Sequence, residues 1–192
     1  ELKNRGFLAA KVIAIKTEDY SDTEVNVRIF ISEGVQTLIQ SIDFAGNKVI
    51  TSSDLQRILS LRESQPLSLA KLEDGLESVK REYRNLGYLD VKITNENSGQ
   101  LVNYSERNQY AYISIEIDEG TQWFYSGLKI FGTEKTKPGV IEREVVLQID
   151  EPVSEKKLLE TEDRLRRLGI FSSVTMELIP DEKEPQKEAK QS

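Results

Sequence analysis

The sequence predicts an α+β protein built of tandem β-α-α-β-β units, with two helices covering one face of a three-stranded sheet in each. Three observations predict it. The chain repeats itself at a spacing of about 86 residues. Apolar residues recur at steps of three and four in the middle of each repeat, and they alternate with polar residues at its end.

The repeat is read directly. Glu33-Gly34 returns as Glu119-Gly120, and the same ungapped register carries Ile42 onto Leu128, Gly46 onto Gly132 and Leu55 onto Ile141. It also carries Arg57 onto Arg143, Pro66 onto Pro152, Ser68 onto Ser154 and Leu72 onto Leu158. Further on, the spacing shortens so that Leu86-Gly87 matches Leu168-Gly169. The missing residues amount to about one helical turn, which leaves the same face inward. A third copy of the signature opens the chain as Arg5-Gly6-Phe7, beside Leu86-Gly87-Tyr88.

The elements follow in order. Residues 1–34 read as the C-terminal part of a unit: a helix end and two strands, with Val25, Val27, Ile29 and Ile31 on one face. Residues 35–120 read as a complete unit. Its first strand, Thr37–Phe44, runs into a turn at Gly46-Asn47, and Thr51-Ser52-Ser53-Asp54 forms a capping box for a short helix burying Leu55, Ile58 and Leu59. Ser68 caps a longer helix whose apolar stripe is Leu69, Leu72, Leu76, Val79, Tyr83 and Leu86, and Gly87 ends it. Two alternating strands close the unit, one through Leu89, Val91 and Ile93, the other through Ile113, Ile115 and Ile117. Residues 121–180 read as a unit lacking its last strand, with Pro138 starting its first helix and Val174, Met176 and Leu178 alternating near its end. Residues 181–192 contain no large apolar side chain and are expected to be a disordered tail. With Glu1 as its first residue, the chain reads as a fragment of a longer protein.

Composition narrows the function. Lys and Arg number 26 against 33 Asp and Glu, a formal charge of −7 that argues against a nucleic-acid partner. The chain has no His and no Cys, which removes Ser-His and Cys-His dyads, imidazole or thiolate metal sites and disulfides. There is no Gly-rich phosphate loop and no ligand cluster, so neither an enzyme nor a cofactor or metal is expected. Asp54, Glu73, Asp74 and Glu77 read as a solvated helix face rather than a carboxylate pair for hydrolysis. No apolar run is long enough for a membrane helix.

The order of these pieces resembles the POTRA (polypeptide-transport-associated) domain, and the tandem copies resemble the periplasmic arm of BamA/TamA-type outer-membrane protein assembly factors. Phe131-Gly132-Thr133, Val140-Ile141-Glu142-Arg143-Glu144 and Leu168-Gly169-Ile170-Phe171-Ser172-Ser173-Val174 carry the resemblance, which covers about residues 1–180. It implies a three-stranded mixed sheet with the last strand central, and a periplasmic scaffold belonging to an outer-membrane protein. The edge strand is then Leu89, Asp90, Val91, Lys92, Ile93, Thr94 and Asn95, which would bind unfolded outer-membrane proteins by strand addition. The groove between Leu76–Leu86 and that strand would add mild preference. Accessory lipoproteins or other periplasmic assembly proteins are the remaining implied partners. Membrane contact would come only through a barrel that lies outside this chain. A structural spacer that binds no client is the alternative reading.

Two further expectations rest on the residues themselves. Trp123, Phe124 and Tyr125 start the strand after Glu119-Gly120 and are expected to pack between adjacent units. Residues 1–34 and 121–180 together hold the parts of one whole unit, so Val25–Ile31 or another strand is expected to fill the slot of a neighbouring chain by strand-swapped self-association.

Overall fold

In a computed structural model of the chain, the described residues are 1–21, 23–132 and 135–179, and they divide into two units. The first comprises Glu1–Glu82 and Val91–Glu119; the second comprises Tyr83–Asp90 and the residues from Gly120 onward. Thr133 and the tail 181–192 lie outside the described residues.

The first unit opens with a 3-10 turn, Leu2–Arg5, and an antiparallel hairpin of β1, Lys11–Ser21, and β2, Glu24–Ser32. Then come β3 (Leu38–Ala45), α1 (Ser52–Leu59) and α2 (Leu69–Asn85), the last of which ends beyond the unit's boundary. Three strands follow: β4 (Lys92–Ile93), β5 (Val102–Tyr104) and β6 (Tyr110–Asp118). The sheet has the order β3-β6-β4, with β5 also pairing β6. β6 runs parallel to β3 and antiparallel to β4 and β5, so the last strand is central and the sheet is mixed.

The period-two pattern of β6 decides which face is covered. Ala111, Ile113, Ile115 and Ile117 are buried, while Tyr110, Tyr112, Glu116 and Asp118 are exposed. Leu55 and Leu59 of α1 and Leu72, Leu76 and Val79 of α2 supply the rest of the core with Ile39 and Leu67. The ends of the apolar stripe, Leu69 and Leu86, are exposed. Thr51 caps α1 by accepting from Asp54 N–H at 3.2 Å, and Ser68 Oγ accepts from Lys71 N–H at 3.3 Å.

Two glycines are dictated by close approach. Gly46 has φ 83°, and a Cβ there would lie 2.0 Å from the Ile117 carbonyl oxygen. Its turn is held by Glu119, whose carboxylate accepts from Lys48 N–H at 2.7 Å and Val49 N–H at 2.9 Å. Gly75 lies inside α2, where a Cβ would come 2.6 Å from the Leu59 carbonyl oxygen; its absence lets α2 close on the end of α1.

The second unit contains α3 (Pro138–Glu142) and α4 (Glu155–Arg167), with Ser154 Oγ accepting from Lys157 N–H at 3.4 Å. Ile141, Leu147, Val153 and Leu165 form a small core. Among its described residues no regular strand forms, and the only bridge pairs Phe124 with Pro152. The strands read from the sequence at the start of this unit and at Val174–Leu178 are not regular strands in the structure. The reason is visible in the first unit, where both flanking strands hydrogen-bond to β6 and not to each other. No equivalent of β6 is present among the second unit's described residues.

Each unit begins with the same backbone clip. In the first, Thr37 N–H donates to Gly6 C=O at 2.9 Å, and Gln36 Nε2 donates to Arg5 C=O at 2.9 Å. In the second, Trp123 N–H donates to Gly87 C=O at 2.9 Å, and Gln122 Nε2 donates to Leu86 C=O at 2.8 Å.

Candidate functional site

The exposed edge beside β6 is assembled from short pieces. Lys92 pairs with Asp118 and Ile93 with Ile117, and Thr94 N–H donates to Glu116 C=O at 2.9 Å. There the strand ends. Asn95 continues the ladder with its side chain: Nδ2 donates to Ser114 C=O at 2.7 Å, and Oδ1 accepts from Glu116 N–H at 3.2 Å. Leu101 C=O then accepts from Ser114 N–H at 3.0 Å, and β5 takes over through Val102, Asn103 and Tyr104.

Of the residues expected to form one edge strand, only Lys92 and Ile93 are regular strand. Leu89 and Asp90 lie in a turn that belongs to the second unit. Val91, Ile93 and Asn95 point inward and are buried, while Lys92 and Thr94 are exposed. The resemblance carried the edge strand to Asn95, which continues the inward phase of Val91 and Ile93. It does not reveal that the amide, rather than the backbone, makes the pairing.

Lys80 on α2 reaches Glu77 at 2.6 Å and Glu96 at 3.0 Å, so an ion pair spans from the helix to the segment just after β4. Burial pulls the Lys80 ammonium down, but the hydrogen bonds and charges of Glu77 and Glu96 outweigh it and hold it above its ordinary value. This bridge crosses the groove expected between α2 and the edge strand.

The outer surface near this edge carries tyrosines that the sequence reading did not single out. Tyr110 and Tyr112 are exposed on it, with Asn103 paired across to Tyr112, whereas Tyr104, also exposed, pairs with Ala111 and so lies on the opposite face of the sheet. Partial burial raises the Tyr104 hydroxyl above its ordinary value. For Tyr110 and Tyr112 the signal in the sequence was the polar phase of β6, in which aromatic residues stand where a solvated sheet face usually carries charge.

Trp123, Phe124 and Tyr125 all lie in the second unit. The Trp123 indole Nε1 donates to Asp90 Oδ2 at 2.8 Å, and its C=O accepts from Val153 N–H at 2.9 Å. Tyr125 exchanges backbone bonds with Glu151 and Asp150, and burial together with the Glu142 charge raises its hydroxyl. Phe124 is exposed. Among the described residues no group of three or more acidic side chains is placed to hold a metal, and no helix is long and apolar enough to cross a membrane.

Comparison with known proteins agrees with this architecture. The family model described as "POTRA: Surface antigen variable number repeat" matches residues 37–120 and 125–188. The chain is 24% identical over 191 residues to the outer membrane protein assembly factor BamA of Nitratidesulfovibrio vulgaris, covering 97% of this chain and 23% of that protein. It is 20% identical over 180 residues to BamA of Neisseria meningitidis serogroup B, covering 93% of this chain and 22% of that one. The chain therefore spans under a quarter of the length of these relatives. The crystal structure of Haemophilus influenzae BamA POTRA3-5 superposes with a TM-score of 0.64 at 20% identity, over 96% of this chain and 71% of that one. Two matched copies, a mixed sheet with its last strand central and two helices on its inner face make this chain a member of the POTRA family.

Proposed function

We propose that this chain is a periplasmic docking scaffold of an outer-membrane protein assembly factor, binding unfolded barrel strands by β-augmentation and accessory proteins on the same units. Family membership supports the assembly role, since its relatives are named as assembly factors. The observation that carries the docking reading is the edge at Lys92–Thr94. Thr94 N–H turns toward β6, so by strand alternation the Ile93 N–H turns toward the open side and is available to an incoming strand. Such pairing tolerates many sequences. One short edge gives contacts on the order of 10⁻³ to 10⁻⁵ M, which several units in series would raise by avidity. The reading needs no catalysis, and the chain supplies no His or Cys for it.

The spacer reading is favoured by one observation, the two-residue length of β4. A titration separates them. Isotope-labelled chain is titrated with a synthetic barrel-strand peptide while backbone amide shifts are followed. Saturating shifts concentrated at Val91–Asn95 and β6, absent with a scrambled charged peptide, support docking. No shifts at millimolar peptide overturn it and leave the spacer.

A further inference from the structure

β4 and β5 are two halves of one edge strand. Both run antiparallel to β6. The β6 residues that bond to them are Glu116 and Ser114 near the break and Tyr110 at the far end, all of one phase and therefore on one side of the strand. Thr94 N–H meets Glu116 C=O, and Leu101 C=O receives Ser114 N–H, so residues 95–100 stand opposite Ile115 alone. An unbroken strand would place one residue there. The other five form an excursion from the sheet edge, a bulge of unusual length.

The break is repaired on both sides. Towards β6, an unbroken strand would offer Thr94 C=O to Glu116 N–H and Leu101 N–H to Ser114 C=O. The Asn95 amide takes both places, at 3.2 and 2.7 Å. Away from β6, alternation turns the backbone of Ile93 and Asn95 to the open side. There the excursion supplies its own donors: Glu96 N–H reaches Ile93 C=O at 3.3 Å, and Ser98 N–H reaches Asn95 C=O at 3.1 Å. Two outward acceptors of the edge are thus already occupied.

From this arrangement we infer that residues 95–100 guard the edge, restricting strand addition to a short extended segment, and that Asn95 is the positioning residue that lets the guard stand out without opening the sheet. Without the five extra residues, Lys92–Ser105 would match β6 along its nine residues. That is the length of a whole barrel strand, about 9–11 residues. With the guard in place, an incoming strand finds the Ile93 N–H before Asn95, and the outward backbone of Val102 and Tyr104 only beyond it. One straight strand does not lie along both. Bulges and looped-out segments are a recognised way to keep sheet edges from pairing with one another. The identity of the partner rests on the docking reading above; the guard itself does not.

The test removes the guard and closes the strand. Deleting Glu96–Gln100 and adding Asn95→Val leaves one inward residue opposite Ile115, so backbone replaces the amide. A nine-residue synthetic barrel-strand peptide is titrated into this chain and into the unsubstituted one, and both are sedimented alone. The shortened chain should bind the peptide at least about tenfold tighter, with amide shifts running from Lys92 to Ser105, and should self-associate more strongly with concentration. If both bind equally, the guard is overturned and the docking reading stands. If neither binds, the docking reading falls, and sedimentation decides the guard: stronger association of the shortened chain supports it, equal association overturns it. Should the shortened chain not fold, hydrogen exchange in the unsubstituted chain decides. The Glu96 and Ser98 amides should exchange at least about tenfold slower than that of Asn97 between them, after correction for sequence, and equal rates overturn the guard.

Discussion

Asn95 donates its side-chain amide to the carbonyl oxygen of Ser114 at 2.7 Å, and through this contact a side chain occupies a place that strand backbone would otherwise fill. The same amide oxygen receives Glu116 N–H, and the residue is buried. Asn95→Leu keeps the size and leaves both β6 groups unpaired, so it should cost about 2–4 kcal/mol. Asn95→Asp keeps the acceptor alone and should fall differently on the two bonds. Urea denaturation of the three proteins measures this; a loss under about 0.5 kcal/mol for Asn95→Leu would show that the amide is dispensable.

Gly75 and Gly139 both lie in helices, and they should respond oppositely to alanine. At Gly75 the new methyl meets the Leu59 carbonyl at 2.6 Å, and displacing one helix from the other should cost about 1–3 kcal/mol. At Gly139 nothing lies within 4 Å of the added carbon, so the ordinary helix preference for alanine should give a gain of up to about 1 kcal/mol. Thermal melts of Gly75→Ala and Gly139→Ala test the sign of each.

Trp123 and Asp90 form a tertiary bond inside the second unit that a double-mutant cycle can isolate. Trp123→Phe removes the indole donor and Asp90→Ala the acceptor. Their coupling should be about 0.5–1.5 kcal/mol, read from denaturation of the two single variants and the double. Additive losses would mean that the bond does not hold the 86–90 turn in place.

Lys80 predicts a dependence on alkaline pH. Its folded pKa is raised above 10.5, so its pairing contributes fully below 10.5 and is lost as pH rises through the folded value. Wild type should exceed Lys80→Met in stability by roughly 0.5–1 kcal/mol near neutrality, and the gap should close as the pH rises through the raised folded value. Tyr104 and Tyr125, raised by burial, disfavour folding in the same range, but they are present in both proteins and cancel in the difference. A gap that persists above the folded value would assign the effect to packing of the lysine stem.

Much of the first unit was legible because the period of each apolar pattern matches one element. The 3-4 steps from Leu72 to Tyr83 specify α2, and the strict alternation from Tyr110 to Asp118 specifies a strand with one buried face. The repeat placed the central strand last only through the resemblance to known tandem units. The edge was less legible. Where backbone pairing stops at Thr94 depends on a single amide bridging two groups of β6, and β5 has too few residues for alternation to mark it. In the second unit the pattern at Val174, Met176 and Leu178 is that of a strand, yet a strand needs a partner, and sequence periodicity reports a face without reporting a neighbour.

The central position of β6 also imposes an order of events. Leu38 meets Tyr110, and every other β3 contact with β6 spans a comparable length of chain. Contacts so distant in sequence close slowly, after the entropy of the intervening loop has been spent. A chain delivered N-terminus first therefore holds β3, α1 and α2 without a sheet to cover until its last strand arrives. The unit matures in a single late step, and until then it is itself an unfolded strand-bearing polypeptide.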